Sequence, residues 1–313
     1  MPKYPAAMAG ETYALVLLSA AKWITDLGVV WLVGVFAFRV VAGPGGASDV
    51  DSGELDRRLT CHAGLALALL FVAAAARLYA QTYSSFGLDE PVTGDLLRLV
   101  AEQTRWGGRW IWQSAAVVVG APAVAMVAAR VRWGWQLLGA AALAIVATAP
   151  MTGHALAYAG GAVIPMALQI GHLLAAGIWL GALGMLLSVG LQSLGGESGG
   201  DGAALSQLVD RFSPVALTAA VTLAGTGAWT AFLYVDEIPQ LWETVYGRVL
   251  LLKTGFVAAT AALGAYNWKR VRPLLGTGGG ADRLRRSGTA ELLVALVLLA
   301  VTAWLVHLPI PHE

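Results

Sequence analysis

The stretch Val163–Leu191, VIPMALQIGHLLAAGIWLGALGMLLSVGL, decides the fold. It carries no acidic or basic side chain except the imidazole of His172. A helix needs about 20 mostly apolar residues to cross the hydrocarbon core of a bilayer. This run is longer, so it spans with tilt or with a turn outside the membrane.

Seven further runs of the same kind flank it: Tyr13–Val41, His62–Tyr83, Trp110–Ala129, Trp133–Ala149, Pro214–Val235, Val249–Trp268 and Ala290–Leu308. Of the 313 residues, 58% are hydrophobic and 12% are charged, and the mean hydropathy is +0.68. Soluble domains carry about 25% charged residues, so the composition excludes an ordinary water-soluble globule. It also excludes a disordered chain, which would be polar and charged. A net charge of +1 gives no nucleic-acid signal, since such proteins cluster basic residues on one surface. The single cysteine, Cys61, excludes an intramolecular disulfide and any multi-cysteine zinc or iron–sulfur site. Met1–Gly10 is short and polar, and the run after it is too long for a signal-peptide core. The expectation is an all-α polytopic membrane protein with eight transmembrane helices and a first helix that is retained.

Basic residues set the orientation. Lys269, Arg270, Arg272, Arg283, Arg285 and Arg286 follow the seventh run; Arg130 and Arg132 follow the third; Arg57 and Arg58 precede the second. With eight spans these fall on one side. The opposite loops are acidic (Asp89, Glu90, Asp95; Asp236, Glu237, Glu243) or uncharged. The reading is a multi-pass protein of the bacterial cytoplasmic (inner) membrane with both termini on the periplasmic side.

A repeat is legible. Asp56-Arg57 opens the second run as Asp210-Arg211 opens the sixth. Thr104-Arg105-Trp106-Gly107 precedes the third as Thr244-Val245-Tyr246-Gly247 precedes the seventh. Trp31-Leu32 matches Trp179-Leu180. Two four-helix repeats in the same orientation follow, an arrangement found in transporters with sites at the repeat interface. Recurrence of Trp, Gly and Arg near membrane interfaces is the other reading. The Gly-rich stretch 194–204 is flexible by composition. It separates residues 1–193, with runs one to five, from 205–313, with runs six to eight, inside one integral membrane domain.

The histidines are the place to seek chemistry. His172 lies nine residues beyond Val163, about 13 Å along a helix axis. Ionisable groups at such depth are costly and face a bundle interior or a water-filled path. A metal or proton site is one reading; a neutral imidazole bonded to a neighbouring carbonyl is the other. Met151 and His154 form an M-x-x-H pair outside the membrane, Met166 lies six residues before His172, and His307 and His312 sit in the C-terminal tail. Thioether and imidazole together suit copper, although methionine also fills gaps in cores. Lys22 and Asp26 are spaced to pair on one helix face, as an ion path or as a structural salt bridge. Arg77 and Lys253 are expected to snorkel to the nearer surface. Cys61-His62 is a soft-metal pair or simply a small residue in a helix.

The stretch Gly153-His154 through Gly171-His172-Leu173 to Trp179-Leu180-Gly181 resembles the copper resistance D (CopD) family. Arg211-Phe212-Ser213, Tyr246-Gly247-Arg248 with Leu252-Lys253 and Asn267, and Arg285-Arg286-Ser287 with Glu291 resemble it as well. The resemblance is strongest over 150–311. Trp268-Lys269-Arg270 after Asn267 departs from the expected Asn-Arg. The resemblance implies an eight-helix inner-membrane protein that handles copper, often beside a periplasmic CopC-like copper-binding partner.

Three functions therefore compete. In the first, copper arrives at Met151, His154 and the tail residues His307 and His312, passes His172 with Asp26 nearby, and leaves by way of Cys61 and His62, Met166 lying on another face of the His172 helix. The second is a b-type haem electron-transfer protein, which needs a His or Met axial ligand and commonly a pair. The third is a structural subunit of a larger membrane complex. Lipid is the surrounding partner in each.

Overall fold

The computed structural model describes residues 4–43, 52–88, 90–153, 161–194, 199–275 and 279–309. Among them are eight helices long and apolar enough to cross a membrane, and no strand. We number these α1 (Tyr4–Ala42), α2 (Ser52–Phe86), α3 (Arg105–Ala128), α4 (Gly134–Thr148), α5 (163–194), α6 (Gly199–Tyr234), α7 (Val245–Tyr266) and α8 (Gly280–Leu305). The chain is an all-α, multi-pass membrane protein.

Several helices outrun their apolar cores. α2 begins at Ser52, ten residues before the apolar run, and α6 begins at Gly199, inside the stretch read as a flexible linker. Both extensions mix charged residues with core side chains, Leu59 on α2 and Leu205, Leu208 and Phe212 on α6; at 1.5 Å per residue the 35 residues of α2 reach about 52 Å, well beyond a hydrocarbon core of about 30 Å. Two short helices, Gly94–Gln103 and Gln240–Glu243, lead into α3 and α7.

α1 is the hub. Against α2 it runs antiparallel: Tyr13 meets Tyr83 edge-on at 5.1 Å, Trp31 meets His62 at 5.7 Å, and Arg39 meets Asp56 at 3.2 Å. Against α5 it runs parallel, with Val33 against Gly177 and Gly34 against Gly181. Trp23 donates its indole N–H to the Leu296 carbonyl of α8 at 3.1 Å. The main core gathers Leu32, Val35 and Phe38 of α1, Leu59 and Leu70 of α2, and Met185 and Leu186 of α5.

The α3 and α7 entrances share one device. Thr104 accepts from the Gly107 amide at 2.8 Å and donates to the Val100 carbonyl at 2.7 Å. Thr244 accepts from Gly247 at 2.9 Å and donates to Gln240 at 2.7 Å. Each is an N-cap that satisfies an orphan amide. Each glycine backs onto the preceding short helix; a β-carbon would sit 2.0 Å from the Val100 carbonyl oxygen at Gly107, and 2.1 Å from that of Gln240 at Gly247.

α2 packs against α3, whereas α6 and α7 make almost no contact. A cavity of about 610 Å³ opens between them. α6 rests on α5 and α7 rests on α8, so α5 and α8 form its floor.

Candidate functional site

Polar groups follow one another through the bundle from the end bearing the termini to the end bearing the basic loop. At the first end a cavity of about 180 Å³ is lined by Arg77, Gln81, Trp106, Thr152 and His307. Arg77 does not snorkel. It is buried, and its guanidinium donates to the Gln113 side-chain oxygen at 2.7 Å and to the Thr152 hydroxyl at 2.6 Å. Two fixed acceptors inside the bundle compensate for the lost water, which a free surface arginine would not need.

Deeper, Lys22 and Asp26 form an ion pair, one N–O distance being 2.6 Å. Asp26 is 4% exposed and also attracts Arg77 and Lys253 electrostatically. Lys22 and Lys253 in turn act on His172. One carboxylate thus pairs with Lys22 and attracts two further cations at longer range.

His172 points at α6. Its Nδ1 lies 3.0 Å from the Thr226 hydroxyl, and its Cε1 packs beside Gly227. The hydroxyl proton is already committed, because Thr226 donates to the Thr222 carbonyl at 2.8 Å. Nδ1 therefore carries the hydrogen and donates to Thr226. Nε2 keeps its lone pair, and among the described residues it has no hydrogen-bond partner. Thr226 belongs to a stripe on α6, Thr218, Thr222, Thr226 and Thr230, each bonded to the carbonyl four residues back. The stripe at spacing four was visible in the sequence and is the signal that the histidine reading missed.

The other candidate ligands are dispersed. Met151 sits in the 3-10 turn Ala149–Thr152 after α4, and its carbonyl accepts from Arg109 at 3.2 Å. Met166 is half-buried on α5. His307 turns Nδ1 to the Ala303 carbonyl at 2.8 Å. His154 and His312 lie outside the described residues. Among the described residues, no three His, Cys, Asp or Glu side chains come together as a metal cage. Cys61 is exposed, while His62, ten residues into α2, turns to Trp31, so the two do not face one ligand. α6, which His172 faces, contains no histidine or methionine, so that interface offers no second axial ligand for a haem.

Toward the basic end, Glu291 lies at the floor of the α6–α7 cavity, 2% exposed. It accepts from the Trp179 indole N–H at 3.1 Å and from the Asn267 side-chain amide at 2.7 Å. The cavity mouth holds Asp210, Lys269 and Arg272, and Arg272 bonds Asp210 at 2.5 Å, tying α6 to the end of α7. The sequence signal for this centre was a lone acid at the start of the last apolar run.

Comparison with known proteins bears on the whole chain. Residues 11–164 match the family described as copper resistance protein D-like, N-terminal domain, and residues 206–305 match copper resistance protein D. His172 lies between the two matched segments. The chain is 28% identical over 218 residues to the copper transport protein CutJ of Bacillus subtilis (strain 168). That alignment covers 67% of this chain and 38% of the relative, so the chain spans well under half of that protein. No solved structure matches.

Proposed function

The chain belongs to the copper resistance protein D family, and from that premise and the geometry above we propose that it carries copper across the bacterial cytoplasmic membrane. The observation that carries the proposal is His172: with Nδ1 bound to Thr226, a neutral imidazole presents Nε2 as a ligand. Imidazole suits copper, and fixing the other nitrogen orients the ring as partners of metal-binding histidines do.

Copper is the substrate and enters from the end bearing the termini. We place that end in the periplasm because the opposite loop, Lys269–Arg286, holds the densest basic cluster. Met151 and His154 receive the ion in the outer segment, with His307 beside the Arg77 cavity. Met166 lies on the same helix as His172. At the centre the ion takes the place of the Lys22 ammonium at Asp26. A periplasmic copper-binding protein of the CopC kind is the donor.

Two four-helix repeats, α1–α4 and α5–α8, form the frame. The matching caps at Thr104 and Thr244 and the parallel contact of α1 with α5 support this. Residues 194–204 join the repeats, part of them drawn into α6.

The test is His172→Ala, with copper accumulation measured per folded molecule in cells and in proteoliposomes. Losing even an indirect partner of a metal ligand typically costs about 10–100-fold in affinity or activity, so a loss at least that large is expected here. Unchanged accumulation with reduced stability would leave His172 a hydrogen-bonded core residue and would sink the pathway. An absorption spectrum of the purified protein checks the rival chemistry, because a Soret band would move the assignment to haem.

A further inference from the structure

The α6–α7 cleft holds a carboxyl group that the copper pathway above does not use. Glu291 is buried on α8, and among the described residues no cation forms an ion pair with it. Its two oxygens accept from Trp179 and Asn267. On the far side of that amide, Asn267 Oδ1 is buried and has no hydrogen-bond partner among the described residues. A buried polar atom without a partner is uncommon in native structures and calls for an explanation.

The local backbone is unusual at both partners. Trp179 sits in the π-helical turn Gly177–Gly181, and Asn267 opens the π-helical turn Asn267–Val271. Such turns are rare and occur frequently at functional sites. The cavity that reaches Glu291 is mostly apolar but is also lined by Asp210, Lys269 and Arg272, polar groups that can draw water toward it. The matching tryptophan of the first half, Trp31, has no such carboxylate and lies against the His62 ring.

We propose that Glu291 is a proton-exchange site, and that Asn267 holds its carboxyl group in both the charged and the neutral form. In the charged form Oε2 accepts from the Asn267 Nδ2 hydrogens, as observed. Protonation forms one O–H bond at Oε2, with the proton drawn from water at the cleft mouth. The amide then turns over and Oδ1 accepts that hydrogen, which gives the orphaned oxygen its partner. Deprotonation reverses both steps. An amide side chain fits this task because it carries a donor and an acceptor on one planar group. Trp179 donates to Oε1 in either form.

The surrounding charges leave this exchange to the cleft itself. α6 contributes Asp210, bonded to Arg272, and α7 contributes Lys269 beside it. Farther out on α7 lies Lys253, which Asp26 attracts electrostatically. α5 contributes His172, two helical turns outward from Trp179, and α1 contributes the Lys22–Asp26 pair. On α8 itself, Arg283, Arg285 and Arg286 precede Glu291 by more than one turn.

The role of this proton in copper movement rests on the transport reading above; the site itself does not. Infrared difference spectra of the copper-free protein in lipid, taken from mildly acidic to mildly alkaline pH, read the site directly. A protonated-carboxyl band that grows on acidification and vanishes in Glu291→Gln is expected. Asn267→Leu should displace its midpoint, and Trp179→Phe should shift its frequency. No band, or one that persists in Glu291→Gln, overturns the proposal. Equilibrium copper binding that falls in Glu291→Gln would also overturn it, by making the group a metal ligand. In proteoliposomes an imposed pH difference should change the wild-type copper flux several-fold and leave the Glu291→Gln flux unchanged; a variant that keeps the wild-type response overturns the coupling. Failure of the wild type to move copper would instead sink the transport reading, and the infrared titration would still decide the site.

Discussion

Gly34 of α1 lies directly on Gly181 of α5: a β-carbon on Gly34 would sit 2.2 Å from the carbonyl carbon of Gly181. Because the obstructing atoms are backbone, no rotamer change relieves the clash. Close approach through small residues is a main mode of helix association in membranes. Gly34→Ala and Gly181→Ala are each expected to destabilise the protein by at least the 1–3 kcal/mol typical of overpacking. Gly255→Ala on α7, where nothing lies within 4 Å, should be neutral. Thermal unfolding of the three variants in one detergent makes the comparison.

Topology gives the second prediction. Glu11 and Asp282, both exposed near the starts of α1 and α8, should face opposite sides of the membrane. Cysteine placed at each in a Cys61→Ala background should label from opposite sides with an impermeant reagent. Labelling from one side would mean that one of the seven helices α1–α7 does not cross.

These eight spans were legible because each carries a long apolar run, and burial in lipid demands little else of a sequence. Their ends were not, because α2 and α6 continue past the apolar runs as amphipathic turns, with Leu59 and Leu205 buried among charged neighbours, and an unbroken apolar run does not mark such turns. The helix Gly94–Gln103 escaped for a related reason: it is short and amphipathic, with mean composition near that of a loop. At the site, His172 was found by its depth alone. Thr226, which fixes its ring, and Asn267 and Trp179, which hold Glu291, come from other helices, and a single sequence does not say which helices touch. Arg77 was misplaced because snorkelling is the cheaper option unless acceptors such as Gln113 and Thr152 wait inside.

Arg77 supplies the third prediction. It ties α2 to Gln113 on α3 and to Thr152 in the turn that carries Met151. Arg77→Lys keeps the charge but loses the two-armed fork. We expect a loss of about 1–3 kcal/mol, the range for leaving buried partners unsatisfied. Hydrogen exchange should quicken across 149–153 before the rest of the bundle responds. Equal protection in wild type and variant would show that the turn is held by other contacts, among them the Arg109 bond to the Met151 carbonyl.

The last prediction concerns the charge balance around Asp26, which holds Lys22 and also attracts Arg77 and Lys253. Asp26→Asn removes the carboxylate that pairs with Lys22 and attracts Lys253 and Arg77. Breaking a buried pair by deleting one partner costs about 3–5 kcal/mol, so unfolding should shift strongly. Lys22→Met has a milder effect, since Asp26 keeps Lys253 and Arg77 while the excess positive charge falls. If copper takes the place of the Lys22 ammonium, this variant should bind copper more tightly in competition with a chelator. It should also release the ion more slowly. The double variant Lys22→Met/Asp26→Asn should regain part of the stability lost in Asp26→Asn, because two charges leave together, yet it should bind copper no better than Asp26→Asn. Wild-type stability and wild-type copper affinity in Asp26→Asn would remove Asp26 from the pathway proposed here.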